Sequence, residues 1–239
     1  MNRRIGAAAL AAILTLLSPA AAMAQTDTST TSTRPAADID QLKSRALAAI
    51  QARLDRIDRL QEIVAGNPHL NDDHQASLEA EMGRSEAGLE ALAEEIRAAA
   101  TVEELRALIP KIAEDFRIYL LVSPKVHLVI AADTVVDAAD RFHEVGAKLA
   151  EAIARAEGAG HDVTQAKEAL ARFEALVAEA EALAGPVPGL LLPLTPQDWP
   201  DPAQGMLADA RADLASAHAA LRDARQVAEE VVKALRQAT

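Results

Sequence analysis

Apolar residues along this chain recur at helical spacing. From Ile39 onward Leu47, Ile50, Leu54, Ile57 and Val64 step by three and four positions, with Leu60 widening the stripe and Gln61 interrupting one seam position. That spacing puts one apolar face on a helix and predicts it over 38–65. Gly66-Asn67-Pro68 ends it, since Gly and Asn tolerate the closing conformation and Pro cannot continue a helix. Asn71 is a cap for a second helix, 71–99, whose stripe is Leu78, Met82, Ser85, Leu89, Leu92, Ile96 and Ala99. The short connection between them makes an antiparallel hairpin.

A third helix, 102–122, opens with Thr101 and Glu104 in the spacing of a capping box, and Pro110 inside it predicts a kink near Ile109. The fourth, 124–158, opens at Ser123-Pro124, a hydroxyl cap followed by proline at the first helical position. Val126, Val129, Ile130, Val135, Phe142, Val145, Leu149 and Ile153 lie on its broad apolar face. Residues 116–133, FRIYLLVSPKVHLVIAAD, concentrate the β-branched and aromatic residues of the chain. Arg117, Lys125, His127 and Asp133 interrupt that stretch too often for a bilayer span. We therefore read it as helix buried at a crossing of neighbours, ahead of a short β element or membrane insertion.

The fifth helix, 162–184, turns Ala166, Leu170, Phe173, Val177 and Ala180 inward. The last, 204–237, is the most regular, with Leu207, Ala210, Leu214, Ala217, Leu221, Ala224, Ala228, Val231 and Leu235 on one seam. Alanines in that seam permit close approach of a neighbouring helix. Matching stripes elsewhere in the chain make a monomeric, intramolecular bundle the preferred packing over a helix-mediated dimer. Between these two helices lies GPVPGLLLPLTPQDWPDP, whose six prolines and two glycines argue against regular structure over most of 185–203. Its apolar patch, Leu190, Leu191, Leu192, Leu194 and Trp199, is unlike a solvated linker. It is expected to lie along the helices as a strap, with a binding loop as the functional alternative. LPLTP, residues 192–196, resembles a cell-wall sorting signal, but it lacks the glycine and no apolar, basic-ended tail follows. The fold class expected is all-α: an elongated antiparallel bundle of coiled-coil-like hairpins with a proline-rich crossover.

The N-terminus departs from this pattern. Arg3 and Arg4, an apolar run from Ile5 to Leu17 and Ala22-Met23-Ala24 before Gln25 have the layout of a signal peptide, residues 1–24. General secretion is preferred to the twin-arginine route, because the residues that normally surround an Arg pair are lacking. Residues 25–37, rich in Thr and Ser, read as a flexible spacer. The expected location is extracytoplasmic, at the cell envelope.

Charge and composition then narrow the function. The exported chain would be two units more negative than the −12 of the whole sequence, which argues against nucleic acid or an anionic membrane as the default partner. Cysteine is absent, so disulfides, thiol chemistry, Cys-ligated metals and a lipid-modified cysteine are excluded. Aromatic residues make up 2% of the chain, too few for a large aromatic-walled pocket.

Candidate chemistry is sparse. His69, Asp72, Asp73 and His74 gather at the first hairpin tip and could hold a divalent metal, although Asn71, Asp72 and Asp73 equally suit a helix N-terminus. His127 with Lys125 and Tyr119 is a possible polar site at the helix junction. Glu94, Glu95, Glu103 and Glu104 read as solvated helix faces, and no Glu-x-x-His pair of the di-iron type occurs. Glycine-rich phosphate loops, H-E-x-x-H and G-x-S-x-G are lacking, so no cofactor is expected.

Residues 117–141, RIYLLVSPKVHLVIAADTVVDAADR, resemble uncharacterised secreted all-helical proteins of high-GC Gram-positive bacteria. The resemblance extends over residues 40–180 and stops after Ala184. It implies an exported helical domain and carries over no activity, cofactor or site residue. Three readings of function follow, in order: a non-catalytic exported bundle acting as an envelope spacer or protein-interaction module; a binder of a small ligand, metal or lipid at the helix junction or under the Leu-rich loop; and an enzyme with a dispersed site.

Overall fold

A computed structural model describes the backbone of residues 34–238 and side-chain environments from residue 38. The signal-peptide reading and most of the spacer lie outside the described residues. The spacer's last residues do not: α1 runs Arg34–Ala65, starting before residue 38.

The described chain is all-α, with no strand. α1 is followed by α2 (Asp72–Ala98), α3 (Val102–Leu108), α4 (Lys111–Glu114), one π-helical turn (Ile118–Val122), α5 (Ser123–Gly158), α6 (Thr164–Ala184), α7 (Val187–Leu191), a 3₁₀ turn (Pro196–Asp198) and α8 (Ala203–Ala238). Asn71 caps α2 as expected, its Oδ1 accepting from the amides of Asp73 (2.9 Å) and His74 (3.3 Å). The Thr101/Glu104 capping box is formed, and the chain breaks at Ile109-Pro110 as Pro110 requires.

Register follows from contacts between helices. Gln61 meets Glu86 and Lys43 meets the Arg97 carbonyl, so α1 and α2 run antiparallel. His143 with Glu181 and Glu157 with Lys167 do the same for α5 and α6. Arg172 reaches Glu230, and the start of α6 packs Ala166 and Ala169 with Val231 near the end of α8. α8 therefore runs antiparallel to α6 and parallel to α5. Ala180 and Ala184 of α6 and Ala210, Ala217 and Ala224 of α8 are all buried, and their small size permits the close approach.

α5 is shared between two groups of helices. Its first half lies in the hairpin of α1 and α2, and its second half forms a three-helix bundle with α6 and α8. At 36 residues it is ~54 Å long. One continuous core joins both groups, from Ala46 and Ile50 through Val126, Val129 and Val135 to Phe173 and Leu214. Each fully buried Leu, Ile, Val or Met contributes about 1.5–3 kcal/mol of transfer free energy. Gly146 admits the Phe173 ring, which stacks on Phe142 with centroids 5.8 Å apart; a Cβ on Gly146 would stand 3.0 Å from that ring.

Three sequence expectations are corrected here. The break between the third and fourth helices falls at Arg117, which takes a left-handed φ of 48°, and not at Ser123. Ser123 is helical and does not cap; α5 continues directly from the π turn. The 185–203 strap is more regular than its prolines suggested, because Pro188 sits in the first turn of α7, where its missing N–H is no loss. Val145, read as part of the core stripe, is 41% exposed.

The apolar run at the opening of α5 is core. A stretch within residues 102–158 is long and apolar enough to cross a membrane by composition, and 56% of it is buried against the other helices.

Candidate functional site: a polar junction around the start of α5

Where α5 enters the hairpin, its polar side chains point in two directions. Toward α1, Ser123 Oγ accepts from Arg56 Nε at 3.2 Å, and Arg56 Nη2 lies 3.0 Å from His127 Nε2. Guanidinium can only donate, so His127 accepts on Nε2 and holds its own proton on Nδ1. Burial first, and the Arg56 charge second, hold the His127 pKa below its ordinary value. Tyr119 of the π turn donates to the Ala52 carbonyl at 2.9 Å, with the Arg53 guanidinium 5.3 Å from its ring centre.

Toward α2 and the strap stands Lys125, with 0% of its surface exposed. Its ammonium donates to both Glu81 oxygens at 2.8 Å and to the Leu194 carbonyl at 2.6 Å. Three donors thus meet three acceptors, so a charge that would be costly alone is fully partnered. Lys125 ties together α5, α2 and the strap. It is not a neighbour of His127 in function: the two residues serve opposite faces of α5, and Tyr119 belongs with the α1 contacts.

Further along α5 the hairpin tip is fastened. Asp133, 8% exposed, accepts from the Asn71 amide at 2.9 Å and from His74 Nδ1 at 3.0 Å. Asp137 meets His69 Nδ1 at 2.9 Å and Arg141 at 2.9 Å. The four candidate metal ligands are therefore separated by role. His69 and His74 turn to different carboxylates of α5, and Asp72 and Asp73 stand in the exposed first turn of α2. Among the described residues no group of three or more potential ligands converges. Asp133 and Asp137, the partners that decide where the histidines point, lie some 60 positions away in sequence and carry no local signal.

The strap closes over this junction. Leu191 and Leu194 are buried, Leu192 and Trp199 are half-buried against the core, and Leu190 alone of the five is exposed. Thr195 and Asp198 lock the 3₁₀ turn: the Asp198 carboxylate accepts from the Thr195 amide and hydroxyl, both at 2.7 Å. These bonds, with a smaller contribution from the Lys125 charge, hold Asp198 below the usual carboxylate range. Between strap and α2 lies a cleft of about 680 Å³. Ser77, Glu81, Arg84 and Ser85 line one wall, and Asp115 and Phe116 close one end. Phe116 lies over Gly88, whose missing Cβ makes the room.

No protein-family model matches the chain, and comparisons with curated proteins and with solved structures each return no match.

Proposed function

We propose that the protein is an exported, non-catalytic helical bundle that acts at the cell envelope as a spacer or protein-interaction module. The observation that carries this reading is the use made of the junction's ionisable groups. Lys125 is consumed by Glu81 and Leu194, His127 by Arg56, His74 by Asp133 and His69 by Asp137. Each joins α5 to another element, so the polar chemistry stiffens a body that presents long helical faces. Export rests on Arg3, Arg4, the Ile5–Leu17 run and Ala22-Met23-Ala24, together with the resemblance of residues 117–141. Cell fractionation of the tagged chain tests export, and cross-linking on intact cells tests the module. A discrete protein adduct on an extracytoplasmic chain supports the reading; a cytoplasmic chain, or one without adducts, refutes it.

The cleft beneath the strap favours a second reading, a small-ligand protein. It combines Arg84 with Asp115 beside the Phe116 ring, a set suited to a zwitterion with an apolar side group. Calorimetry with free amino acids and short peptides decides it, with binding lost in Arg84→Ala as the required result.

A further inference from the structure

Large apolar side chains left exposed are few in the half of the molecule built from α5, α6 and α8. Val145 at 41% and Val232 at 37% stand out there. They belong to one shallow groove of about 430 Å³ between α5 and α8, on which Leu149 and Ala228 also open. Among the described residues its rim carries Arg225 and Lys233, with Arg236, which has a partner of its own, against the carboxylate of Glu229. That excess of cations is out of keeping with a chain of 24 basic and 36 acidic residues.

Of the described residues, four exposed cations on these helices are matched to carboxylates, Arg141 with Asp137, Arg155 with Glu151, Lys167 with Glu157 and Arg172 with Glu230, whereas Lys148 and Arg222 form no ion pair. Among the described residues Arg225 and Lys233 form no ion pair. Because α5 and α8 run parallel with α6 behind them, the groove is the position a fourth helix takes on a three-helix bundle.

We infer that this groove receives an acidic amphipathic helix of a partner protein. Apolar residues spaced by three and four would seat against Val145, Leu149 and Val232, and flanking Asp or Glu would meet Arg225 and Lys233. A second copy docked groove to groove would bring these cations against their own images. An anionic bilayer would face a chain of net charge −12. The inference rests on the interaction-module reading and specifies its partner.

The test is an anisotropy titration of the purified full chain with a labelled synthetic helix carrying Leu at alternating three and four spacing and Glu on its flanks. A lysine counterpart and phosphatidylcholine vesicles containing phosphatidylglycerol serve as competitors. The acidic peptide should saturate, and the lysine peptide should bind at least about tenfold more weakly, roughly 1.4 kcal/mol. Val232→Asp should weaken the acidic peptide about tenfold without moving the thermal midpoint, because Val232 is exposed. Arg225→Glu with Lys233→Glu should invert the charge preference. Absent or charge-indifferent binding, displacement by vesicles, or a dimer in sedimentation that Val232→Asp dissolves would overturn the inference. A photo-crosslinker at Val232 and another at the exposed Ile63 of α1, in living cells, separate the two levels. A protein adduct at Ile63 with none at Val232 keeps the module and removes the groove; adducts at neither remove both.

Discussion

Lys125 and Glu81 form a charge contact in the interior of this protein, the ammonium 2.8 Å from each carboxylate oxygen and wholly out of solvent. Either partner left alone would be a poorly solvated charge, so single removal is strongly destabilising while joint apolar replacement need not be. Lys125→Met and Glu81→Leu should each lower unfolding free energy by about 3 kcal/mol, and the double variant by clearly less than their sum. Denaturant titration of the four proteins measures the coupling, expected at about 1–3 kcal/mol. Additive losses would mean that the pair does not act as a unit.

Two glycines of α2 should respond oppositely to alanine. Nothing approaches the position of a Cβ on Gly83, whereas one on Gly88 would stand 2.5 Å from Phe116 Cε1. Gly83→Ala should raise stability by about 0.5–1 kcal/mol through helix propensity. Gly88→Ala must displace the Phe116 ring, and overpacking of about 1–3 kcal/mol should exceed that gain. Thermal melts of the two variants give the comparison.

Adjacent leucines of the strap should also differ. Leu191 is fully buried and Leu190 is 52% exposed. Leu191→Ala should cost about 2–5 kcal/mol by transfer and cavity terms, and Leu190→Ala little, within about 0.5 kcal/mol. Equal losses in denaturant titrations would contradict the strap's placement.

His127 gives the pH dependence. Its pKa is lowered in the folded protein by burial and by Arg56, so on acidification the unfolded chain takes up this proton first. The destabilisation is absent well above the unfolded value of about 6.5, sets in as pH falls through it, and is complete below the depressed folded value. Protonation of Nε2 would also remove the acceptor that Arg56 uses. His127→Gln retains an acceptor without the titration, so its loss of stability between pH 7.5 and 5.5 should be smaller than that of the parent by the His127 contribution; an unchanged slope would show that His127 does not titrate there.

Periodicity revealed the helices because their stripes coincide with their buried faces. In α8, Leu207, Ala210, Leu214, Ala217, Leu221, Ala224 and Val231 are all buried as their spacing demands. What local pattern could not reveal was tertiary in origin. Ser123-Pro124 has the chemistry of a helix start, yet the turn is set upstream by Arg117, whose left-handed backbone accompanies an α-type bond from Leu121 and a π-type bond from Val122 back to its carbonyl. Lys125 interrupts an apolar stripe and is nonetheless core, because Glu81 and the Leu194 carbonyl, far away in sequence, complete its hydrogen bonds. The hairpin-tip residues looked like a ligand cluster since sequence shows their proximity and not the carboxylates of α5 that separate them. Val145 fell on the stripe of a helix whose neighbours leave that position uncovered.

Native-state hydrogen exchange in rising denaturant most directly tests whether α5 unites the hairpin and the three-helix bundle into one stiff body. The slowest amides of α2, α5 and α8 should open at a common free energy and merge into the same global transition. Release of α1 and α2 at low denaturant, while α6 and α8 stay protected, would contradict it.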